Sequence, residues 1–236
     1  LKMQKNRAVL SIITEMFPVS AKVGAIALCW AVLVGIPIGC LAAFKRGKFT
    51  DSVLRIICTL GISMPSFVVA SVLLVTLTGT NALSLFPSIF DASQGWRAYV
   101  LPCFALGFYP MCYTARQTRS AMLDSFSQEY IKTARAKGLK NNKIIFKHAL
   151  RNALIPVITY LGPQVAFTLC GGFVVESVFS IPGLGRYFVQ SIQNRDYPVI
   201  MGTTIFLAAF IILMNLVVDL LYKVADPRIS LAKGGE

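Results

Sequence analysis

Side chains that could do chemistry are sparse in this sequence. There is one histidine, His148, and the six cysteines (Cys29, Cys40, Cys58, Cys103, Cys112 and Cys170) contain no CxxC pair. Neither a metal site nor a disulfide framework is signalled. No HExxH, GxSxG or GxxxxGK[ST] stretch occurs, so His148 has no metal or nucleophile to act on and the chain has no phosphate-cradling loop of its own. What stands out instead is positive charge. Positions 116–151 hold nine Lys/Arg against two acids, Asp124 and Glu129. Such a stretch makes no bonds; it either fills a plain cytoplasmic loop or docks another protein.

The surrounding elements decide where that stretch lies. Hydrophobic residues make up 56% of the 236 and charged residues 14%, with a mean hydropathy of +0.67, whereas soluble domains carry roughly 25% charged residues. The chain reads as one all-α, polytopic membrane domain. A net charge of +13 could suggest nucleic acid, but it sits in short blocks between apolar runs. That pattern orients a membrane protein, and no nucleic-acid partner is expected. Crossing a hydrocarbon core takes about 20 apolar residues. Five uncharged runs meet or approach that length, at 23–44, 56–80, 98–115, 153–175 and 197–218. None shows the polar face at 3.6-residue spacing that a soluble helix needs. The cysteines lie in or beside these runs as small apolar residues.

Sixteen Lys/Arg fall on the side of the 116–152 loop and the 225–236 tail, and seven on the other. The positive-inside rule puts loop and tail in the cytoplasm. Five spans then place residues 1–17 outside. That segment carries Lys2, Lys5 and Arg7 and does not begin with Met, so the expectation is an external segment preceded, in the intact protein, by a sixth span. The first apolar run is too long for a signal peptide and no small-residue cleavage site follows it.

Within the loop, Ser125 and Gln128 have the spacing of a capping box, predicting a helix from near Phe126. Gly138 suits the left-handed position that ends one. Phe126, Tyr130, Ala134 and Gly138 would share one side, an aromatic and small-residue face fit for a pocket, with Lys132 and Arg135 opposite. Asn141 or Asn142 can cap a second helix. On it Lys143, Lys147 and Arg151 form an i, i+4, i+8 stripe, read as headgroup contact, and His148 is read as a polar interfacial residue. On the other side of the membrane, Pro182, Gly183 and Gly185 form a turn. An amphipathic stretch with Leu184, Tyr187, Phe188 and Ile192 follows, lying on the outer face. Glu176, just past the fourth run, is read as a carboxylate at the membrane–water boundary.

These residues carry a resemblance. Residues 130–139 (YIKTARAKGL), 148–156 (HALRNALIP), 179–186 (FSIPGLGR), Asp196 to Pro198 and Asp226 to Arg228 resemble membrane subunits of the bacterial dipeptide/oligopeptide/nickel ABC importer family. The likeness covers about 17–228, and Arg151 with Asn152 is similar to the B-type of the two paired permeases. Lys132, Thr133 and Ala134 stand where many importers have Glu-Ala-Ala. The resemblance implies a MetI-like type I transmembrane domain over 18–224. Its coupling residues would be Glu129, Tyr130, Ala134, Gly138 and Leu139, seated in a groove of a cytoplasmic ATPase. A second coupling-loop helix would carry His148, Arg151, Asn152 and Pro156, and an external loop or gate would carry Glu176, Pro182, Gly183, Gly185, Asp196 and Pro198. A paralogous permease forming a heterodimer, two ATPase subunits holding ATP and Mg, an external solute-binding protein and residence in the inner membrane are implied as well. The chain itself would hold no cofactor or metal and catalyse nothing.

Other classes stay open at this point. An ion-coupled secondary transporter would place ionisable residues near the midplane, whereas all five runs are uncharged and Asp219 lies at the inner end of the last. An intramembrane enzyme would need a nucleophile constellation. The solute, whether a dipeptide, a longer peptide, glutathione or a nickel complex, is not legible from this chain.

Overall fold

The computed structural model describes residues 7–78, 85–140, 144–169 and 172–225; the readings made for Asn141, Asn142, Lys143, Cys170 and 226–228 lie outside them. Nine α-helices occur among the described residues: α1 (Val9–Phe44), α2 (Phe49–Ser63), α3 (Ser66–Leu77), α4 (Arg97–Ser127), α5 (Glu129–Ala136), α6 (Leu150–Leu169), α7 (Phe173–Val178), α8 (Leu184–Gln193) and α9 (Tyr197–Ala225). A π-helical turn over Ile144–Ala149 leads into α6.

Three helical stretches among the described residues, Val9–Phe44, Leu150–Val178 and Tyr197–Val218, are long and apolar enough to cross a membrane. A fourth exists if α2 and α3 count as one span. The elements depart from the expected spans in four places. α1 begins at Val9, so the segment expected to be external is helical from that residue. The 56–80 run is two helices bent by 103° across Met64 and Pro65, since proline supplies no N–H and holds the residue before it extended. The third run does not stop at 115; it continues as one helix to Ser127. In the fourth run the backbone is extended at Gly172 (φ −79°, ψ 90°) and a separate helix starts at Phe173.

α4 is the element the others pack around. Its 98–115 portion carries Pro102, Pro110, Tyr109 and Tyr113, and protein packs against much of it: Leu101, Cys103, Ala105, Met111, Cys112 and Ala115 are all buried. α1 lies against it at backbone distance. A Cβ on Gly39 would run into the Ala115 carbonyl, and one on Gly107 into the Ala27 carbonyl. Close backbone approach of this kind drives helix association in lipid, where no hydrophobic effect operates between spans. The Trp30 indole N–H donates to the Cys103 carbonyl at 2.7 Å and closes the same contact.

α2 is tied to α4 by charge. Asp51, 1% exposed, accepts from Arg119 Nε at 2.7 Å and from its second guanidinium nitrogen at 2.8 Å. The Gly47 N–H donates to the same carboxylate at 3.0 Å. This fork-to-fork geometry is the strong form of the pair.

Candidate coupling site and outer turn

At the end of α4 the backbone of Gln128 becomes extended (φ −72°, ψ 148°) and α5 starts at Glu129. The expected capping box is therefore absent: Ser125 is buried inside α4, Phe126 belongs to that helix, and Gln128 caps with its carbonyl, accepting from Ile131 N–H at 3.0 Å. Glu129 sits in the first turn, where a carboxylate suits the helix dipole, and takes Lys132 Nζ at 2.7 Å. Both partners are solvated, so this pair adds little stability.

The end of α5 follows the expectation made for Gly138. Its φ is +71°, its N–H donates to the Arg135 carbonyl at 2.9 Å, and the Leu139 N–H donates to the Ala134 carbonyl at 3.3 Å. Those two bonds form a Schellman motif, which requires a left-handed residue at this position.

The face of α5 differs from the one predicted. Ile131 and Ala134 are the buried residues, packed with Ala121 and Met122 of α4 and with Ile144, Ala149 and Ala153, and Leu139 joins this cluster. Ala134 and Leu139 thus help hold α5 onto its own chain, Ala134 buried and Leu139 half-buried. Glu129, Tyr130, Lys132, Thr133, Arg135 and Ala136 face outward. Gly138 is also open, with nothing within 4 Å of an added Cβ. It is needed for its backbone angle, not as a small residue beneath an aromatic.

Tyr130, Asn152 and Pro156 come together in a cleft of about 340 Å³, between α4, α5 and α6, with Gln117, Ser120 and Asp124 on the α4 side. Pro156 inside α6 has no N–H to give the Asn152 carbonyl. Arg151 is exposed next to it. His148 lies on the π-helical turn.

On the opposite end of the bundle Glu176 is enclosed by protein and not solvated. It is 1% exposed, and Oε2 accepts from the Arg186 N–H at 3.0 Å at the start of α8. Ser20 of α1 accepts from the Leu184 N–H at 2.9 Å. Two side chains from distant helices thus serve the unpaired N–H groups of α8's first turn. Gly183 and Gly185 are buried against the same carboxylate, and a Cβ on Gly183 would collide with Glu176 Oε2 and the Ser20 hydroxyl. Pro182 is exposed at the tip. The turn is anchored by Phe179 and Ile181, both buried beside Val23, Ala27 and Leu101.

α8 is inserted into the bundle, not laid on it. Leu184 packs with Ile13 and Leu207, and Tyr187 with Ile12 and Val199, while Ile192 points outward at 50% exposure. Burial pushes the Tyr187 phenol up; neighbouring Asp196 acts in the same direction and Arg7 opposes it. Asp196 is buried at the residue before α9, and Pro198 is exposed in its first turn.

The sequence pointed to Glu129, Tyr130, Gly138, Asn152 and Pro156 at one end and to Glu176, Gly183 and Gly185 at the other. It did not point to Ile131, Ser20 or the Asp51–Arg119 pair. Ile131 sits three residues before Ala134, a spacing that marks one helix face and was available to read.

Comparison with known proteins shows the family and the fold. A family described as binding-protein-dependent transport system inner membrane component matches residues 35–231. The chain belongs to that family. The dipeptide transport system permease protein DppB of Bacillus subtilis (strain 168) is 50% identical over 219 residues, covering 93% of this chain and 70% of the relative. DppB of Escherichia coli (strain K12) is 40% identical over 240 residues, with 90% and 71% covered. The oligopeptide transport system permease protein OppB of Haemophilus influenzae is 40% identical over 230 residues, with 95% and 73% covered. The fold is shared with a chain from an inward-facing MetNI methionine ABC transporter structure, at a TM-score of 0.66 and 16% identity, over 92% of this chain and 97% of that one. The all-α, MetI-like reading of the fold holds, and the chain is an inner-membrane permease component.

Proposed function

We propose that this chain is one of two paired permease subunits of an ATP-driven importer of dipeptides or short oligopeptides. The observation that carries the reading is the 50% identity to a dipeptide permease across nearly the whole chain, joined to an α5 whose outward face is free among the described residues. In this reading Glu129, Tyr130 and the exposed basic residues of α5 rest in a groove of a cytoplasmic ATPase subunit. ATP and Mg belong to two such subunits. α5, Gly138 and the C-terminus lie in the cytoplasm, and the Glu176–Asp196 end faces an external solute-binding protein. The partner permease is a paralogue, and the path runs between the two.

The test is purification of the tagged intact protein with its native operon expressed. Co-elution of a second permease and an ATPase, with ATP-dependent uptake of dipeptide only when loaded binding protein is present, supports the reading. A chain that elutes alone, or uptake driven by an ion gradient without ATP, refutes it.

A further inference from the structure

A second, longer feature lies outside the coupling site. On α6, Asn152, Pro156, Tyr160, Gln164 and Thr168 recur every four residues, each above the last along a side that turns by about 40° per step. Tyr109 and Tyr113 of α4 meet that side. The Tyr113 and Tyr160 rings stack at 3.9 Å, Tyr109 follows at 6.2 Å from Tyr113, and the Arg116 guanidinium lies 5.3 Å over Tyr113. The Tyr160 hydroxyl donates to Gln164 Oε1 at 3.2 Å, and Gln164 Nε2 donates to the Thr168 hydroxyl at 3.1 Å. Beside this seam the break between α2 and α3 opens a cleft of about 390 Å³, lined by Ser63, Pro65, Ser66, Tyr109, Gln164 and Thr168.

Lipid is a poor cover for this seam. Tyr109, Tyr113, Tyr160 and Gln164 are each only partly buried. Hydrocarbon against them would strand hydrogen-bonding capacity that one internal ladder does not use up. The lipid-type surface of α6 is elsewhere, where Ile155 and Ile158 are each exposed at 41%. Water or another protein must therefore lie along the seam.

The chemistry of the lining favours water and a transported solute. No acid, histidine or cysteine lines the cleft, so it offers nothing to a metal ion and little to a cation. It offers an amide, hydroxyls and aromatic planes beside the apolar Ile62, Met64, Leu106 and Phe167, the partners of a peptide main chain and of apolar or polar side chains. Arg116, exposed and without an ion pair among the described residues, stands at the α5 end, where a carboxylate would find it. The cleft's volume lies within the range of small-ligand pockets, roughly 300–1,000 Å³. Chain breaks at membrane depth are tolerated where they line such a cavity.

Resting on the peptide-importer reading above, we propose that the α4–α6 seam and the α2–α3 break form this subunit's wall of the translocation path. Tyr109, Tyr160 and Gln164 contact the peptide main chain, and Arg116 takes its carboxylate. The competing cover is the partner permease.

The assembled transporter, with the native cysteines of its subunits replaced, is given Tyr160→Cys, Gln164→Cys or Ile158→Cys and treated with a charged methanethiosulfonate reagent. Positions 160 and 164 react, reaction slows several-fold when dipeptide-loaded binding protein and ATP are supplied, and position 158 stays unreactive. In the otherwise native transporter, Gln164→Leu and Tyr160→Phe lower the peptide delivered per ATP by roughly 2- to 10-fold, the worth of one neutral hydrogen bond. Co-purification with the partner subunits controls for folding of each variant. Failure of 160 and 164 to react in every nucleotide state puts the partner permease on the seam and overturns the proposal. So does wild-type delivery by both substituted transporters. If the unsubstituted transporter imports no peptide, the peptide reading falls on its own, while labelling still reports whether the seam faces water.

Discussion

Gly138 is open to side-chain size and closed to backbone change. Its φ is +71° and a Cβ there would meet nothing within 4 Å. An L-residue held in the left-handed region costs about 1–2 kcal/mol, and asparagine less than most because its short polar side chain bonds locally. The force that seats α5 is of similar size. Ile131, fully buried, contributes about 1.5–3 kcal/mol on full burial, and Ala134 adds less. Gly138→Ala should therefore raise the open population of α5 about 5- to 30-fold, with the Schellman bonds of Gly138 and Leu139 lost first. Amide hydrogen exchange over 131–139 in the assembled transporter reads this directly, and ATP-coupled uptake reads the consequence. The expected order is Gly138→Asn close to the native protein, Gly138→Ala worse, and Gly138→Val worst. An order that follows side-chain volume, with Asn as damaging as Leu, would mean that Gly138 makes room for a partner, and the backbone argument would be wrong.

Three further outcomes follow from buried contacts. Glu176→Ala strips an acceptor from the first turn of α8 and should lower thermal stability by about 1–2 kcal/mol; Gly183→Ala should cost a similar amount, and the double variant less than the sum, because the added Cβ then has no carboxylate to meet. Additive losses in a thermal-shift cycle would show that the two do not share one contact. Asp51→Asn should cost about 2–4 kcal/mol, somewhat under a fully buried pair because Arg119 keeps some solvent contact, and Arg119→Leu in the same background should recover part of it. Ala134→Leu should overpack the seat of α5 by about 1–3 kcal/mol and uncouple ATP hydrolysis from uptake, whereas Lys132→Ala, which removes a solvated pair, should stay within about 0.5 kcal/mol of the native protein. A detergent-stability assay showing the reverse order would place Ala134 on the partner's side after all.

The helical class, the longer apolar stretches and the stop at Gly138 were legible because each rests on a local rule: composition, run length, and a left-handed residue after a helix. The face of α5 was not. Counting Phe126 as part of it assumed that the helix began there, and that start slipped because α4 runs to Ser127. With the helix starting at Glu129, the residues three apart that face inward are Ile131 and Ala134. Glu176 was misjudged for another reason. A carboxylate near a span end is cheap at a water boundary, and only the distant Ser20 and the two glycines of the turn reveal that it is enclosed. Contacts across 164 residues, as between Ser20 and Leu184, leave no local trace. The polar seam on α6 did leave one, a strict four-residue repeat from Asn152 to Thr168 inside an apolar run.

The positions of rigidity and weakness decide what a push on α5 would move. α4 is one helix of 31 residues, roughly 45 Å at the standard rise, and α1 is locked to it along Gly39 and Gly107. Asp51 and Arg119 add α2 to the same block. α5 is fixed to one end of α4 through Ala121 and Met122, so force applied there reaches the middle of the bundle without bending. The irregular places lie elsewhere: the π-helical turn at Ile144–Ala149 that leads into α6, and the 103° break between α2 and α3. π-turns are where helices yield, whereas prolines do not separate the two helices, since α4 carries Pro102 and Pro110 and α6 carries Pro156 and Pro163. The seam between α4 and α6 is therefore a boundary between a stiff element and a yielding one, and closing the ATPases would change the width of that seam more than it would deform α4. A cross-link between the facing ends of α4 and α6, at Ser120 and Asn152, should block transport, whereas one between α1 and α4 should be tolerated. Transport that survives the first and stops with the second would locate the moving joint between α1 and α4 instead.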